Sequence, residues 1–428
     1  MGRARLYVGG GKSAHVPINT REACAPSLVV RRRARLSGGM PKSAAADAGM
    51  VLAVASFDGE VAMSEQDVGH NVCPIRIGDA VVGPGQRAYV IAEVGVNHNG
   101  DVETAKRMVD VARQAGADAV KLQAFRAERL VTRSASMADY QKGRAPGASS
   151  QYEMLRELEL WPDAFAEIRT HCRQCGVAFL ATPFAPEDVA MLASLDPVAI
   201  KIASSDLTNT PLLETAADTH LPLIVSTGAA KGDEIDAGIA WLRQRDAADR
   251  LVLLHCVSSY PTDPCDANLR RIAVLADRFG VPTGFSDHTA GIEAGALAVA
   301  AGAVMIEKHF TLNRNQVGPD HSFSLEPDAL AAYIRNIRLA EQMLGSGNLD
   351  CTDCEQQVRN LSRASVVAAV DIAAGQVLRP HMLAVKRPAG GIEPLHLHEL
   401  IGLTAAQDIP ADTALMWEMI GSPAPVGV

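Results

Sequence analysis

Two histidines, His288 and His309, each follow a short apolar run, and the carboxylates Glu307 and Asp320 lie close to them in the sequence. If the two runs are neighbouring parallel strands, both imidazoles emerge at the same end of a sheet. Two imidazoles with open coordination positions suit a divalent metal ion, which can polarise a carbonyl oxygen. We therefore predict a two-histidine metal site. The alternative is that both are unrelated polar residues at strand ends.

A second group of residues suits an anion. Lys121 and Lys201 each lie in an apolar run, and hydroxyl side chains follow several neighbouring runs. Lysine supplies a point charge and hydroxyls supply donors, as in a phosphate site. A lysine that forms a Schiff base in an aldolase is the alternative. The other polar candidates at these positions are Glu93, Gln123, Thr182, Ser204, Asp206, Ser226, Ser258, Tyr260 and Ser286.

Eight short apolar runs position these residues, and a helix-like segment follows each run. The runs span residues 89–92, 119–122, 177–181, 198–202, 221–225, 251–254, 281–285 and 303–306. Eight strand–helix alternations predict an α/β fold of the (β/α)₈ or TIM barrel type, with its active site at the C-terminal ends of the strands. A doubly wound open sheet is the alternative, but no glycine-rich dinucleotide loop follows the first run.

Composition divides the chain into four parts. Residues 1–80 show no sustained period and read as an extension, either disordered or translated from upstream of the true start. Residues 81–345 form the predicted barrel and 346–360 a linker. Residues 361–428 carry short β-type runs and predict a small β-rich domain, too short for a second catalytic core.

Bulk properties exclude several classes of protein. The net charge of −9 argues against a nucleic-acid partner, and no apolar run reaches the roughly 20 residues that span a membrane.

Two pairs of the eight cysteines, Cys172/Cys175 and Cys351/Cys354, have CxxC spacing. Nothing around them is typical of a zinc ribbon, so we expect reduced thiols in the cytoplasm. His255 lies deeper in its run, and we expect a hydrogen-bonded core histidine.

The order of motifs resembles one family closely. KIASSDLTN, LLHCVSSYPT, GFSDHTAG and MIEKHFT followed by GPDH are similar to segments of the sialic acid (N-acetylneuraminate) synthase family. The end of the chain, with ASVVAAVDIAAGQVL and AVKRPAGGI, resembles that family's antifreeze-like or SAF domain. The resemblance extends from about residue 81 to the C-terminus, and residues 1–80 have no counterpart in it.

The resemblance implies an enzyme that condenses phosphoenolpyruvate with the open-chain aldehyde of an N-acetylated hexosamine. The product is a nine-carbon 2-keto acid, and phosphate leaves by C–O cleavage. A divalent metal ion, Mn²⁺ or Mg²⁺, is implied as the cofactor. No Schiff base is involved, so the resemblance assigns both lysines to anion binding.

The resemblance also assigns roles to residues. His288 and His309 resemble the metal ligands. Arg387 resembles an SAF-domain arginine that reaches into the partner subunit's site, which implies a homodimer with swapped SAF domains. Residues that resemble the phosphoenolpyruvate-binding groups are Lys121, Thr182, Lys201, Ser204, Ser226 and Ser286. Residues that resemble groups holding the sugar or moving protons and water are Glu93, Gln123, Tyr260 and Asp320, of which Glu93 is the first candidate for acid–base catalysis.

The resemblance determines the acceptor sugar less closely than the rest of the reaction. Other members carry glutamate and asparagine where this chain has Asp206 and Ser258, and Asp206 is one methylene shorter. We predict N-acetylmannosamine as the acceptor, giving N-acetylneuraminate. The alternative is a legionaminic or pseudaminic acid synthase that uses a 2,4-diacetamido-trideoxyhexose. A non-catalytic sugar- or ice-binding protein is a further alternative, against which the complete set of polar strand ends argues.

Overall fold

The computed structural model describes residues 72–139, 141–144 and 147–423. The described chain begins with an antiparallel hairpin of β1 (Ile75–Ile77) and β2 (Ala80–Val82). Ile75, Ile77 and Val82 belong to the same buried cluster as Tyr89 at the start of the next strand. The hairpin therefore covers the N-terminal end of the barrel, opposite the end where an active site is expected.

Eight parallel strands follow, and their hydrogen-bonded order is β5-β4-β3-β10-β9-β8-β7-β6. The outer strands of this order, β5 and β6, lie beside each other, so the sheet curls into a TIM-like barrel. The strands are β3 (Tyr89–Gly95), β4 (Ala119–Ala124), β5 (Ala178–Pro183), β6 (Ile200–Ile202), β7 (Leu223–Ser226), β8 (Leu251–Cys256), β9 (Thr283–Asp287) and β10 (Met305–His309).

Helices pack around the strands, and local sequence determines several of their ends. Asp101 caps the first helix by accepting a hydrogen bond from the Thr104 amide, and Gly116 ends it with a φ of 92°. None of the helices in the described part of the chain is long and apolar enough to cross a membrane. The helices up to the end of the barrel are α1 (Val102–Ala115), α2 (Ala127–Leu130), α3 (Gln151–Glu157), α4 (Pro162–Cys175), α5 (Pro186–Ala193), α6 (Thr210–Asp218), α7 (Gly232–Arg243), α8 (Arg271–Phe279), α9 (Ala294–Ala300) and α10 (Pro327–Leu344).

The barrel has two apolar layers because successive side chains of each strand point to opposite faces. On β10, Met305 belongs to the cluster inside the barrel, whereas Ile306 belongs to the cluster between the strands and the helices. The same alternation sends Glu307 and His309 inward and Lys308 outward. Strand periodicity thus decides which polar residues can reach the active site.

The connection from β4 to β5 is an excursion at the C-terminal end of the barrel. It contains α2, an irregular segment, α3 and α4. Phe125, Met154, Leu155 and Leu158 form a separate buried cluster within it, together with Val96 from the end of β3. This excursion therefore has its own packing, and it adds a wall beside the strand ends.

The C-terminal region has its own core. The helix α11 (Gln356–Ser362) precedes the antiparallel pair β11 (Ser365–Ala368) and β12 (Leu383–Lys386). The helix α12 (Leu397–Leu400) precedes a second antiparallel pair, β13 (Leu403–Ala405) and β14 (Ile420–Pro423). Val366, Ile372, Leu378, Leu400 and Leu415 are buried together. This region is a small β-rich domain, as predicted.

The barrel prediction is confirmed, but some boundaries differ from the expectation. Most strands run further toward their C-terminal ends than the apolar runs, because polar residues such as Gln123 and Thr182, which line the cavity, are still paired in the sheet. The predicted boundary at residue 80 falls inside the β1–β2 hairpin, so the last part of the expected extension is folded, while residues 1–71 lie outside the described residues. The helix α11 begins inside the predicted linker.

Candidate active site

A cavity of about 450 Å³ opens at the C-terminal ends of the barrel strands. All but three of the predicted site residues line it, and the exceptions are Asp206, Asp320 and Arg387. The predicted residues in its wall are Glu93, Lys121, Gln123, Thr182, Lys201, Ser204, Ser226, Ser258, Tyr260, Ser286, His288 and His309. The structure thus brings residues from β3, β4, β5, β6, β7, β9 and β10 to one place.

Two buried lysines and two buried carboxylates form the floor of the cavity. Lys121 Nζ lies 2.7 Å from Glu93 Oε2 and donates to Thr182 Oγ1 at 2.9 Å. Lys201 Nζ donates to Ser226 Oγ at 2.7 Å. Glu307 lies between the lysines, 3.7 Å from Lys121 and 3.9 Å from Lys201. Two cations and two anions therefore share a region from which water is largely excluded.

The charges of this floor depend on one another. Burial opposes the charged form of Glu307, but Lys121 and Lys201 outweigh it and lower the pKa of the carboxyl. Burial lowers the pKa of Lys201, whereas the carboxylates beside Lys121 outweigh burial and raise its pKa. Glu307 also accepts a hydrogen bond from Ser286 Oγ at 2.8 Å. An entering anion would find lysines that are already oriented.

Small residues and hydroxyls form one side of the floor. Ser204 Oγ accepts a hydrogen bond from the Gly228 amide at 2.9 Å and lies 3.0 Å from Cys256 Sγ. A Cβ on Gly228 would lie 2.5 Å from Ser258 Oγ and 2.6 Å from Cys256 Sγ. Only glycine fits here, and its absent side chain leaves the hydroxyls open to the cavity.

The two predicted metal ligands, His288 and His309, lie close together in the cavity wall. Their ring centroids are 5.6 Å apart. His288 Nδ1 lies 2.8 Å from the Val257 carbonyl oxygen, so Nδ1 is the donor and Nε2 is left as an acceptor. His309 Nδ1 is buried and has no hydrogen-bond partner among the described residues. Burial lowers the pKa of both imidazoles, which keeps them in the neutral form that binds metal.

Glu93 and Asp320 lie on either side of Gly95. A Cβ on Gly95 would be 3.1 Å from Asp320 Oδ2 and 3.4 Å from Glu93 Oε1. Burial raises the pKa of Asp320 to about 7, and the nearby charge of Glu93 adds to the shift. Burial also raises the pKa of Glu93, although Lys121 opposes it. Asp320 therefore changes its protonation state near neutral pH, and two neighbouring carboxyls with raised pKa values are suited to acid–base catalysis.

Three predicted residues do not line the cavity. Asp320 is buried behind it, with Oδ2 3.9 Å from His309 Nδ1. Asp206 accepts hydrogen bonds from Ser205 Oγ and Asn209 Nδ2, both at 2.9 Å, which hold the carboxylate outside the cavity wall. Arg387 is an exposed residue that directly follows β12 in the β-rich domain. Whether Asp206 and Arg387 meet a substrate stays a prediction.

Several residues in the cavity wall were not predicted. Glu307 was noted only for its place beside His309, and Cys256 was not considered. The excursion between β4 and β5 contributes further polar and apolar wall residues, which are Leu130, Val131, Gln141, Gln151 and Leu155, and Phe184 directly follows β5. The sequence feature that could have indicated these wall residues is the length of the β4–β5 connection, because binding loops concentrate at the C-terminal ends of barrel strands.

Other candidate groups lie away from the cavity. His255 Nε2 lies 2.7 Å from the Ala267 carbonyl oxygen, which confirms it as a hydrogen-bonded core histidine. Among the described residues, one group of three has metal-ligand spacing, namely Asp110, His171 and Cys175, whose ligand atoms lie within 4.8 Å of one another. It lies on α1 and α4, on the outside of the barrel. The seven cysteines that the structure describes are free thiols.

Comparison with known proteins identifies two family models. The model described as the NeuB family matches residues 108–349, and the SAF domain model matches residues 363–421. The two matches correspond to the barrel, from within α1 to just beyond α10, and to the β-rich C-terminal domain.

The matches to individual relatives extend over nearly the full length of those relatives. The N,N'-diacetyllegionaminic acid synthase of Legionella pneumophila is 40% identical over 79% of this chain and 96% of its own length. The enzyme of that name from Campylobacter jejuni is 39% identical over 76% of this chain and 98% of its own. The crystal structure of N-acetylneuraminic acid synthetase from Leptospira borgpetersenii has a TM-score of 0.60 and 35% identity, and the match covers 67% of this chain and 95% of that one.

Proposed function

The chain belongs to the NeuB family, and we propose that it condenses phosphoenolpyruvate with an N-acetylated hexosamine, forming a nonulosonic acid and releasing phosphate by C–O cleavage. The observation that carries this proposal is the single cavity in which two buried lysines face two neutral histidines. Such a site combines an anion subsite with a place for a divalent cation. A reaction that joins a phosphorylated enol acid to an aldehyde needs both.

The lysine side of the cavity suits the phosphate and carboxylate of phosphoenolpyruvate. Lys121 and Lys201 supply charge, and Thr182 and Ser226 already hold their Nζ atoms in place. We assign Ser204 and Ser286 as further donors. When the anion binds Lys121, it competes with Glu93 for that cation, so Glu93 loses its ion pair and takes up a proton more readily.

His288 and His309 fit a divalent ion such as Mn²⁺ or Mg²⁺. The Val257 carbonyl fixes the tautomer of His288, as outer partners of metal ligands do, and the buried His309 Nδ1 has no other partner within the described chain. When bound, such an ion polarises the aldehyde oxygen of the sugar.

The carboxyls provide the proton transfers. Carbon C3 of phosphoenolpyruvate attacks the aldehyde carbon, and Glu93 in its protonated form donates to the oxygen that becomes a hydroxyl. Water then adds at C2, and Asp320 in its ionised form accepts the proton that the water loses. The resulting tetrahedral carbon expels phosphate together with the original bridging oxygen, which leaves a 2-keto acid. Gln123 and Tyr260 line the side of the cavity that remains for the sugar.

We propose N-acetylmannosamine as the acceptor, with N-acetylneuraminate as the product. A 2,4-diacetamido-trideoxyhexose is the second candidate, because two of the relatives at 39% to 40% identity are named N,N'-diacetyllegionaminic acid synthases. The cavity wall supports it as well, since Leu130, Val131 and Phe184 are apolar and suit a deoxy carbon or an extra acetamido methyl group. Asp206 does not line the cavity, so it does not contact a sugar hydroxyl in this conformation.

The rest of the proposal concerns assembly. We propose a homodimer in which Arg387 of one subunit contacts the N-acetyl group in the other subunit's cavity, and a location in the cytoplasm, where phosphoenolpyruvate is made. A mixture of Arg387→Ala and His309→Ala chains tests the exchange. Mixed dimers regain activity if each cavity takes its arginine from the partner, and they stay inactive if each subunit is self-sufficient.

The assay for the reaction combines the protein with phosphoenolpyruvate, Mn²⁺ and either sugar. Mass spectrometry of the product identifies the acceptor. With ¹⁸O at the bridging position of phosphoenolpyruvate, we expect the label in phosphate. Label retained in the keto acid would exclude C–O cleavage, and no phosphate release with either sugar would refute the proposed function.

A further inference from the structure

The residues that precede the two histidines form a buried ion pair on the opposite face of the sheet. Asp287 precedes His288 and Lys308 precedes His309, and the register of β9 and β10 places Lys308 directly opposite Asp287. Lys308 Nζ lies 2.9 Å from Asp287 Oδ2, and the side chains are 1% and 0% exposed. Because side chains alternate along a strand, this pair faces outward while the histidines face the cavity.

The pair is surrounded by further hydrogen bonds. Asp287 Oδ1 accepts from the Thr289 amide at 2.8 Å and from Thr289 Oγ1 at 2.7 Å. Lys308 Nζ also donates to the Thr289 carbonyl oxygen at 2.5 Å. These contacts bracket His288 in the chain, since Asp287 and Thr289 are its two neighbours. The Lys308 side chain therefore contacts the residues on both sides of His288, and Lys308 is itself the residue before His309.

Tyr333 of α10 connects this network to the helical layer. Its hydroxyl donates to Asp287 Oδ2 at 2.8 Å, and Lys308 Nζ lies 5.3 Å from the centre of its ring. A Cβ on Gly295 of α9 would lie 2.5 Å from two atoms of Tyr333, Cζ and the hydroxyl oxygen. Glycine at position 295 is what lets the tyrosine reach the aspartate between the two helices.

Stability alone does not account for an ion pair at this position. The outward-facing residues one step earlier on the same strands, Phe285 and Ile306, are apolar and pack in the main core. A buried ion pair loses the hydration of both charges, so apolar residues at positions 287 and 308 would stabilise the fold at least as well. A directional contact, however, fixes the register and the spacing of two strands more closely than apolar packing does.

We propose that the Asp287–Lys308 pair, held by Tyr333, is a positioning device that fixes the separation and direction of His288 and His309 and thereby determines the affinity for the metal ion. This inference rests on the proposed metal site. It assigns Asp287, Lys308 and Tyr333 to metal affinity and not to the chemical step, because their polar groups contact one another on the outer face of the sheet, away from the cavity.

Tyr333→Phe is the mildest test, because it removes one hydroxyl and keeps the ring. Mn²⁺ affinity is measured without substrates, from the loss of the electron paramagnetic resonance signal of free Mn²⁺. We expect the dissociation constant to rise at least about fivefold, while the rate at saturating Mn²⁺ falls by less than about twofold. Tyr89→Phe is the matched control, since Tyr89 is also buried but lies at the other end of the barrel, and its Mn²⁺ affinity should equal that of the unmodified protein.

The double variant Asp287→Asn/Lys308→Met covers the case in which a single change prevents folding. It removes both charges together and keeps an acceptor for Thr289, so no unpaired charge is left. Circular dichroism checks its fold, and we expect Mn²⁺ binding at least about tenfold weaker. If Tyr333→Phe and the double variant both keep the wild-type Mn²⁺ affinity while His309→Ala loses Mn²⁺ binding, the positioning role is refuted and the metal site is not. Unchanged affinity in His309→Ala would overturn the metal site and this inference together.

Discussion

Two groups of potential metal ligands differ in how their donor atoms are used. At the mouth of the barrel, His288 and His309 are buried, and His309 Nδ1 has no hydrogen-bond partner among the described residues. On the outer helices, the ligand atoms of Asp110, His171 and Cys175 lie within 4.8 Å of one another but form hydrogen bonds with one another. Asp110 Oδ1 lies 2.7 Å from His171 Nε2 and 3.4 Å from Cys175 Sγ.

The difference shows that proximity is a weak sign of a metal site. The outer group is partly exposed, with side-chain exposures of 26% for His171 and 46% for Asp110, and burial raises the pKa of the Cys175 thiol. A metal ion there would displace a proton and existing hydrogen bonds. A metal ion at the mouth pair has less to displace. Burial keeps both imidazoles neutral, and His309 Nδ1 has no hydrogen-bond partner among the described residues. His288 Nε2 has one long contact, 3.4 Å from Ser286 Oγ. Donors that are buried, oriented and unsatisfied are the stronger indication.

The largest expected effect separates these two groups directly. His309→Ala removes a proposed ligand, and we expect Mn²⁺-dependent turnover to fall on the order of 10³-fold or more. His171→Ala removes the corresponding donor from the outer group and should leave turnover within about twofold. Initial rates of phosphate release measure both. Equal losses in the two variants would mean that the mouth pair has no special role.

Asp320 provides the second test, through pH. Because burial raises its pKa to about 7, its ionised form increases as pH rises through 7. If Asp320 accepts the proton from water, kcat/KM rises with pH across that range and levels off above it. Asp320→Asn should lower kcat about 100-fold and abolish that step. Asp188, whose pKa burial raises to about 6, lies outside the cavity, so Asp188→Asn should keep the wild-type pH profile.

A smaller effect is expected from the anion subsite. Lys201→Met keeps the length of the side chain and removes its charge, so the KM for phosphoenolpyruvate should rise about 30-fold, the value for one charged hydrogen bond of about 2 kcal/mol. The KM for the sugar should change much less. Lys106→Met, at a surface lysine paired with Glu103 and Glu167, is the control. A rise confined to the sugar KM would contradict the assignment of Lys201.

Much of this site could be predicted from the sequence, because a polar residue within or directly after an apolar run can occupy few positions in a parallel barrel. Lys121, Lys201 and both histidines were placed in this way. The position of Glu307 between the two lysines could not be predicted, since it depends on the register across three strands. The orientation of Asp206 depends on a local contact with Asn209. The strands of the β1–β2 hairpin have three residues each, too few for a period to show.

Cys175→Ser is expected to have the smallest effect and sharpens the comparison from the other side. Serine keeps a donor toward Asp110 but removes the sulfur that a soft metal ion prefers. Because Cys175 is only partly buried where it packs against the main core, the free energy of unfolding should change by no more than about 1 kcal/mol. Mn²⁺ affinity should also stay at the wild-type value. A Mn²⁺ dissociation constant that rises as much as in His309→Ala would show that the outer group holds the ion, and the unsatisfied nitrogen at the barrel mouth would then need another explanation.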